Sequence, residues 1–272
     1  MSLAAERFLV AAARLCAVLV VAIQPLVIII LVVATVGALI HGVTISSSGF
    51  IWLTTATVGL ALVGATLGAA LGVGGALYAE EIAPAAARQI IKGLVGGLHA
   101  LPAVGFGVAA AGVLLVTPVV PNTAVTFAIA SIVITAMIAS IVFVQTRRAL
   151  SALPLELREV AAAAGADPVN AAVRAVLPAL QRNVAGIWWS ALALALGEAT
   201  ALQIIFSAAS MKAQAVGMPP VAGTLASTLL QVGASERGAA LLGTAPVALL
   251  LVAMAIAAVL LGRRAVGHVQ WP

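Results

Sequence analysis

Charged side chains are scarce in this chain: 8% of its 272 residues are Asp, Glu, Lys or Arg, 64% are hydrophobic, and mean hydropathy is +1.23. A water-soluble globule carries about a quarter of its residues as charges. A large soluble domain is therefore excluded, and a polytopic membrane protein is expected. Cysteine occurs once, at Cys16, which rules out an intrachain disulfide and leaves that thiol as a small apolar residue. His41, His99 and His268 are scattered, without the Cys/His spacing that would hold a metal. The chain lacks a Gly-x-x-x-x-Gly-Lys-Ser/Thr phosphate loop, so ATP hydrolysis by this subunit is not expected. Energy must come from another subunit or from an ion gradient. The apolar runs hold neither a Ser/His pair nor paired aspartates, which argues against an intramembrane enzyme. With no internal repeat or low-complexity tail, residues 1–272 read as a single transmembrane domain.

Apolar runs are present in abundance. Stretches long enough to cross a bilayer, about 20 residues each, fall at roughly 15–40, 52–79, 91–116, 123–145, 184–207 and 239–262. Period-two alternation is absent and backbone groups in lipid must be satisfied internally, so an all-α bundle of six transmembrane helices is expected. The first run is about twice the length of a secretory leader's apolar region and lacks a clear cleavage site, so it reads as a retained helix. Arg7, Arg14, Arg88, Lys92, Arg147, Arg148, Arg158, Arg174, Arg182, Arg263 and Arg264 all fall on one side of this arrangement. Only Lys212 and Arg237 fall opposite, so both termini are expected in the cytoplasm. The pI near 10.7 then reflects topology, not nucleic-acid binding.

The segment between the fourth and fifth runs is polar enough to leave the membrane. Residues 151–180 read as a cytoplasmic loop in which one helix ends near Ala164 and Gly165 breaks it. Asp167 and Pro168 open a second short helix that runs to Leu177-Pro178. Glycine suits the left-handed residue that closes a helix, Asp is a good N-cap and Pro fits the first helical position. Pro178 is expected to allow a bend into the fifth span.

This loop resembles the cytoplasmic signature of ABC-importer permeases: Glu-Ala-Ala, three residues, Gly, nine residues, Ile, one residue, Leu-Pro. Glu159, Ala161, Gly165, Leu177 and Pro178 fall on the pattern with its spacing intact, while Val160 and Ala175 depart from it. The resemblance implies a type I importer permease in the bacterial cell membrane, working with a second permease, two ATP-binding subunits and an extracytoplasmic solute-binding protein. ATP and Mg would be held by the partner subunit, with no cofactor on this chain. Residues 166–176 would dock on that ATPase, with Glu159, Gly165, Asp167, Val169 and Asn170 at the contact.

Three further stretches resemble the phosphate-type permeases. They are Leu77 to Pro84 with Arg88, Leu101 to Gly107, and Leu196 to Thr200. On this likeness the cargo is inorganic phosphate, and Pro102, Ala103, Glu198 and Thr200 line the path. Leu194 stands where those permeases usually carry Arg, and Ala103 where they carry Ser, so a second permease would supply the missing donors. Sulfate or molybdate is the alternative cargo; an ion-coupled secondary carrier is the alternative class.

Glu198 is the one charge well inside an expected span. It has two readings: it holds an arginine of the partner permease, or it is a structural carboxyl bonded near Thr200 and Gln203. Gly64, Gly68 and Gly72 recur every fourth residue and form a face for close helix packing. Tyr78, Glu81 and Arg88 are expected to organise the cytoplasmic end of that helix, with a plain exposed ion pair as the alternative. Pro121 and Asn122 mark an outer turn, and Lys212 is expected within a long outer loop, about 208–236, facing a solute-binding protein.

Overall fold

A computed structural model describes residues 47–221, 223–224 and 239–266, together with positions 29, 32, 33 and 36. Most of the first expected span lies outside these residues, as do Arg7, Arg14, Cys16, His41, Arg237 and His268. The described chain is helical throughout, with no strand. Helix α1 spans Ser47–Leu77 and passes into a π-helical turn, Tyr78–Ile82; α2 is Ala85–Ala100, α3 Ala103–Val116 and α4 Thr123–Ser151. The loop after α4 holds α5, Glu156–Ala163, and α6, Pro168–Ala171, followed by a second π-helical turn, Ala172–Val176. Then come α7, Leu177–Gly197, α8, Thr200–Ala215, and α9, Ala239–Val266.

Two helices are long and apolar enough to cross a bilayer unaided, Trp52–Ile82 and Thr123–Ser151. The expected third and fifth spans are each broken. The pair α2 and α3 is bent by 95° at Leu101-Pro102, and the rod Pro168–Gly197 meets α8 at 45°. Taking each bent pair as one span gives up to four among the described residues, with a further apolar stretch at Leu249–Gly262 in α9. The expected six are not reached within the described chain. Proline explains the first break, because a ring at Pro102 has no N–H to donate and biases Leu101 away from helical backbone. The second break comes at Gly197-Glu198.

The core is built where α1 meets α4. Gly72 lies so close to α4 that an added Cβ would stand 2.7 Å from the Ala139 carbonyl oxygen and from the Val142 side chain. A small face of this kind lets two backbones approach closely and gain dispersion contacts in lipid, where no hydrophobic drive separates helix from solvent. Ile134, Ile138 and Val142 on α4 are buried against Leu60, Ala61 and Ala65 on α1. Helix α7 joins the same core through Ala191, Leu192 and Ala195, and α9 lies on α7 where Gly262 faces Trp189.

The structure departs from expectation at Lys212. This residue stands in the last turn of α8, not in a loop, because that helix continues to Ala215. Its ammonium donates to the carbonyl oxygens of Leu114, at 2.6 Å, and Thr117, at the end of α3. Asn122 caps α4 by accepting from the Val125 N–H at 2.8 Å, as the turn expected at Pro121-Asn122 requires.

Gly72→Val places branched carbon against the backbone of α4 and is expected to destabilise the fold by about 1–3 kcal/mol. Thermal unfolding in detergent, compared with Gly74→Val, where nothing stands within 4 Å of the added carbon, checks this.

Candidate functional site

In the loop between α4 and α7 the sequence itself closes α5 at its C-terminal end and opens α6 at its N-terminal end. Glu156 and Glu159 lie in the first turn of α5, where carboxylates oppose the helix dipole. That helix ends at Gly165, which has φ of +77°. Its N–H reaches the Ala162 oxygen at 2.9 Å, and the Ala166 N–H reaches the Ala161 oxygen at 3.0 Å. These two bonds make a Schellman closure, which requires a left-handed residue at the glycine position. The side chain of Asp167 accepts from the Asn170 N–H at 2.7 Å, and Pro168 takes the first turn of α6. The turn between α5 and α6 is therefore as the spacing predicts.

The far end of the loop differs from expectation. No bend occurs at Pro178, because α6, the π-helical turn and α7 form one rod from Pro168 to Gly197. The wider turn at Ala172–Val176 stands directly before the proline, where an α-turn would clash with its ring. Ala172, Val176 and Leu180 are buried on the body of the bundle, with Ala76, Ala79, Phe143 and Leu150 around the latter two. Leu177 is half-buried and Pro178 exposed. Glu159, Val169 and Asn170 are exposed, and Ala161 is half-buried.

Beneath the loop lies a charged cluster that sequence reasoning found only in part. Arg88 does not pair with Glu81; it donates to the Ala83 carbonyl oxygen at 3.3 Å. Tyr78 contributes its backbone oxygen, which accepts from the Ala83 N–H at 2.8 Å and closes the π-helical turn. The partner of Glu81 is Arg158 at 2.7 Å, whereas Glu80 meets Lys92 at 2.9 Å and Arg147 at 2.5 Å. Arg147 also lies over the ring of Phe143, 5.9 Å from its centre. The hydrogen bonds to Glu81 raise the pKa of Arg158 above its ordinary value, so the guanidinium stays charged. A groove of about 600 Å³ opens here, lined by both carboxylates, Arg147, Arg148, Ser151 and Arg158. The signal that could have found these partners is the doublet Glu80-Glu81 itself. Two adjacent carboxylates at the end of an apolar helix need cations, and the following cationic segments supply them.

The two breaks are brought together on the other side of the body. Helices α3 and α8, which follow the breaks, touch so closely at Gly107 that an added Cβ would lie 2.8 Å from the Ala201 Cα. Pro102 stands at the start of α3, exposed, with Ala103 half-buried beside it. Glu198 lies in the break, half-exposed, rather than inside a continuous helix. One carboxylate oxygen accepts from the Ala201 N–H at 2.9 Å and from the Thr200 hydroxyl at 2.8 Å. Gln203 donates instead to Ser207 at 3.1 Å. Glu198 thus satisfies the open N-terminal end of α8, and among the described residues it has no ion-pair partner. Because an amide oxygen can still accept both bonds, Glu198→Gln is expected to keep wild-type thermal stability. Glu198→Ala is expected to lose about 1 kcal/mol in the same melting experiment.

No protein-family model and no curated protein matches the sequence. Among solved structures the chain is similar to one from the MetNI methionine ABC transporter in its inward-facing conformations, with a TM-score of 0.56 and 20% identity. The match covers 82% of this chain and 98% of that one. At this identity the likeness speaks for the fold alone, which is similar to that of a chain of an ABC transporter.

Proposed function

We propose that this chain is the membrane permease of an ATP-driven importer and that α5 and α6 dock on a separate ATP-binding subunit. The observation that carries this reading is a pre-formed protrusion outside the spans on a permease-like fold. Its two short helices are closed by Gly165 and Asp167, while Leu155, Val160, Val169 and Val173 are 50–69% exposed. Apolar side chains on a rigid polar turn fit a groove on a partner. The complex would hold a second permease, two ATP-binding subunits that bind ATP and Mg, and an extracytoplasmic solute-binding protein, in a bacterial cell membrane with both termini cytoplasmic. Closure of the ATP-bound pair would displace the loop and rock the bundle.

For the cargo we propose inorganic phosphate, on the three stretches that resemble phosphate-type permeases. Under that reading Glu198 cannot meet the anion itself, and a cation of the second permease must stand opposite it. A second reading, a small zwitterion such as methionine, is favoured by the unpaired carboxylate of Glu198, which suits an ammonium group, and by the methionine transporter's similar fold. Uptake of radiolabelled phosphate and of methionine, into vesicles holding this chain with its co-purified partners, separates the two. ATP-dependent phosphate uptake is the expected result; methionine uptake alone would support the second reading, and uptake of either without ATP would remove the importer.

Gly165 gives a sharper test of docking, because among the described residues nothing stands within 4 Å of an added Cβ there. Gly165→Ala carries only the strain of a left-handed residue, about 1 kcal/mol. Gly165→Arg adds a bulky cation to the docking face. Uptake is expected to fall with Arg but to survive with Ala, while the ATP-binding subunits continue to hydrolyse ATP.

A further inference from the structure

Helix α5 forms the first half of the docking protrusion, yet none of its residues is buried. Val160 is 68% exposed, so apolar burial does not fasten this helix to the membrane body as it fastens Ala172 and Val176 further on. Among the described residues, the side chain of α5 that forms an ion pair with the body is Arg158. Its Nε donates to both oxygens of Glu81 at 3.1 Å, and its Nη2 donates to Oε1 at 2.7 Å and to the Leu150 carbonyl oxygen at 3.2 Å. A guanidinium fork on a carboxylate resists rotation as well as separation, which a single ammonium contact does not. The Glu81 side chain is only 12% exposed, so water and salt screen this pair less than they screen a surface pair.

Glu80, the next residue back, extends the connection. It holds Lys92 of α2 and Arg147 of α4, so two carboxylates on one π-helical turn gather cations from three different helices. Each has a mechanical destination. The turn continues α1, which is locked to α4 through the glycine face, and α2 leads to the elbow at Leu101-Pro102.

We propose that the Arg158–Glu81 pair is the joint through which the docking protrusion drives the membrane helices, with Glu80 distributing the displacement to α2 and α4. The inference rests on the permease reading. Arg158 and Glu81 are positioning residues: they hold α5 at a fixed angle to α1. Without the pair, α5 can yield when the ATP-binding subunits close, and hydrolysis continues without moving the bundle.

The test measures uptake and ATP hydrolysis together in vesicles holding the full complex. The solute is whichever of phosphate and methionine the wild type carries. Arg158→Gln and Glu81→Gln are expected to lower uptake per ATP hydrolysed by about tenfold, the size of a typical coupling between sites, with subunit assembly and ATP hydrolysis retained. Arg158→Lys keeps the charge without the fork and is expected to fall between. The reversal E81R/R158E is expected to recover to within about threefold of wild type, as a direct pair should in a double-mutant cycle. A working wild type whose Arg158→Gln variant keeps its uptake per ATP would overturn the joint alone. A wild type without ATP-driven uptake would overturn the permease reading and the joint with it. Where Arg158→Gln fails to assemble, Glu81→Cys and Arg158→Cys in a Cys16→Ala chain are joined after assembly by a short thiol-specific linker. Recovered uptake supports the joint, and an uncoupled cross-linked complex refutes it.

Discussion

A helix that breaks inside lipid must find local partners for the backbone groups it frees, because no water is there to take them. Much of this structure follows from that constraint. The chain breaks two of its spans, at Pro102 and at Glu198, and two of its charged side chains, Glu198 and Lys212, serve the ends of the half-helices so created. Glu198 accepts from the Ala201 N–H at the start of α8. Lys212, near the end of the same helix, donates to the last carbonyls of α3. Charges that look misplaced in a hydropathy reading are backbone partners in the fold. The half-helices α3 and α8 are consequently tied together, by Lys212 at one end and by the close approach of Gly107 and Ala201 at the other.

The loop between α4 and α7 solves a different problem. On the proposed importer reading it would present a stiff surface to a partner while staying attached to helices that move. Capping supplies the stiffness, through the closure at Gly165 and the bonds of Asp167. Attachment is divided in two: the π-helical turn that continues α6 is anchored by buried apolar side chains, whereas α5 is tied by an ion pair to the end of α1. An ion pair with good geometry transmits direction, and it can also be remade after displacement, unlike a packed core contact.

Local elements in the loop were legible because local chemistry decides them. The positive φ of Gly165, the cap at Asp167 and the start of α4 at Asn122 each depend on residues within five positions of one another. The α1 glycine face was legible for a similar reason, since a repeat of four places Gly64, Gly68 and Gly72 on one side of any helix. Pairings over long separations were not. Glu81 chose Arg158, 77 residues away, over Arg88 nearby. Glu80, Arg147 and Arg158 drew no attention as sites because each is an ordinary boundary charge when taken alone.

By itself the sequence determined that the chain is a helical membrane domain, where its described apolar runs lie, and how its loop helices begin and end. These properties are set by transfer of side chains to lipid and by hydrogen bonds within one turn. Tertiary structure alone decided that two of those runs would break and bend, that Lys212 would complete a helix rather than face outward in a loop, and that Pro178 would continue a rod. It also chose which cation meets which carboxylate. Such outcomes depend on which helices come within hydrogen-bonding reach, and that distance is a property of packing between segments far apart in the chain.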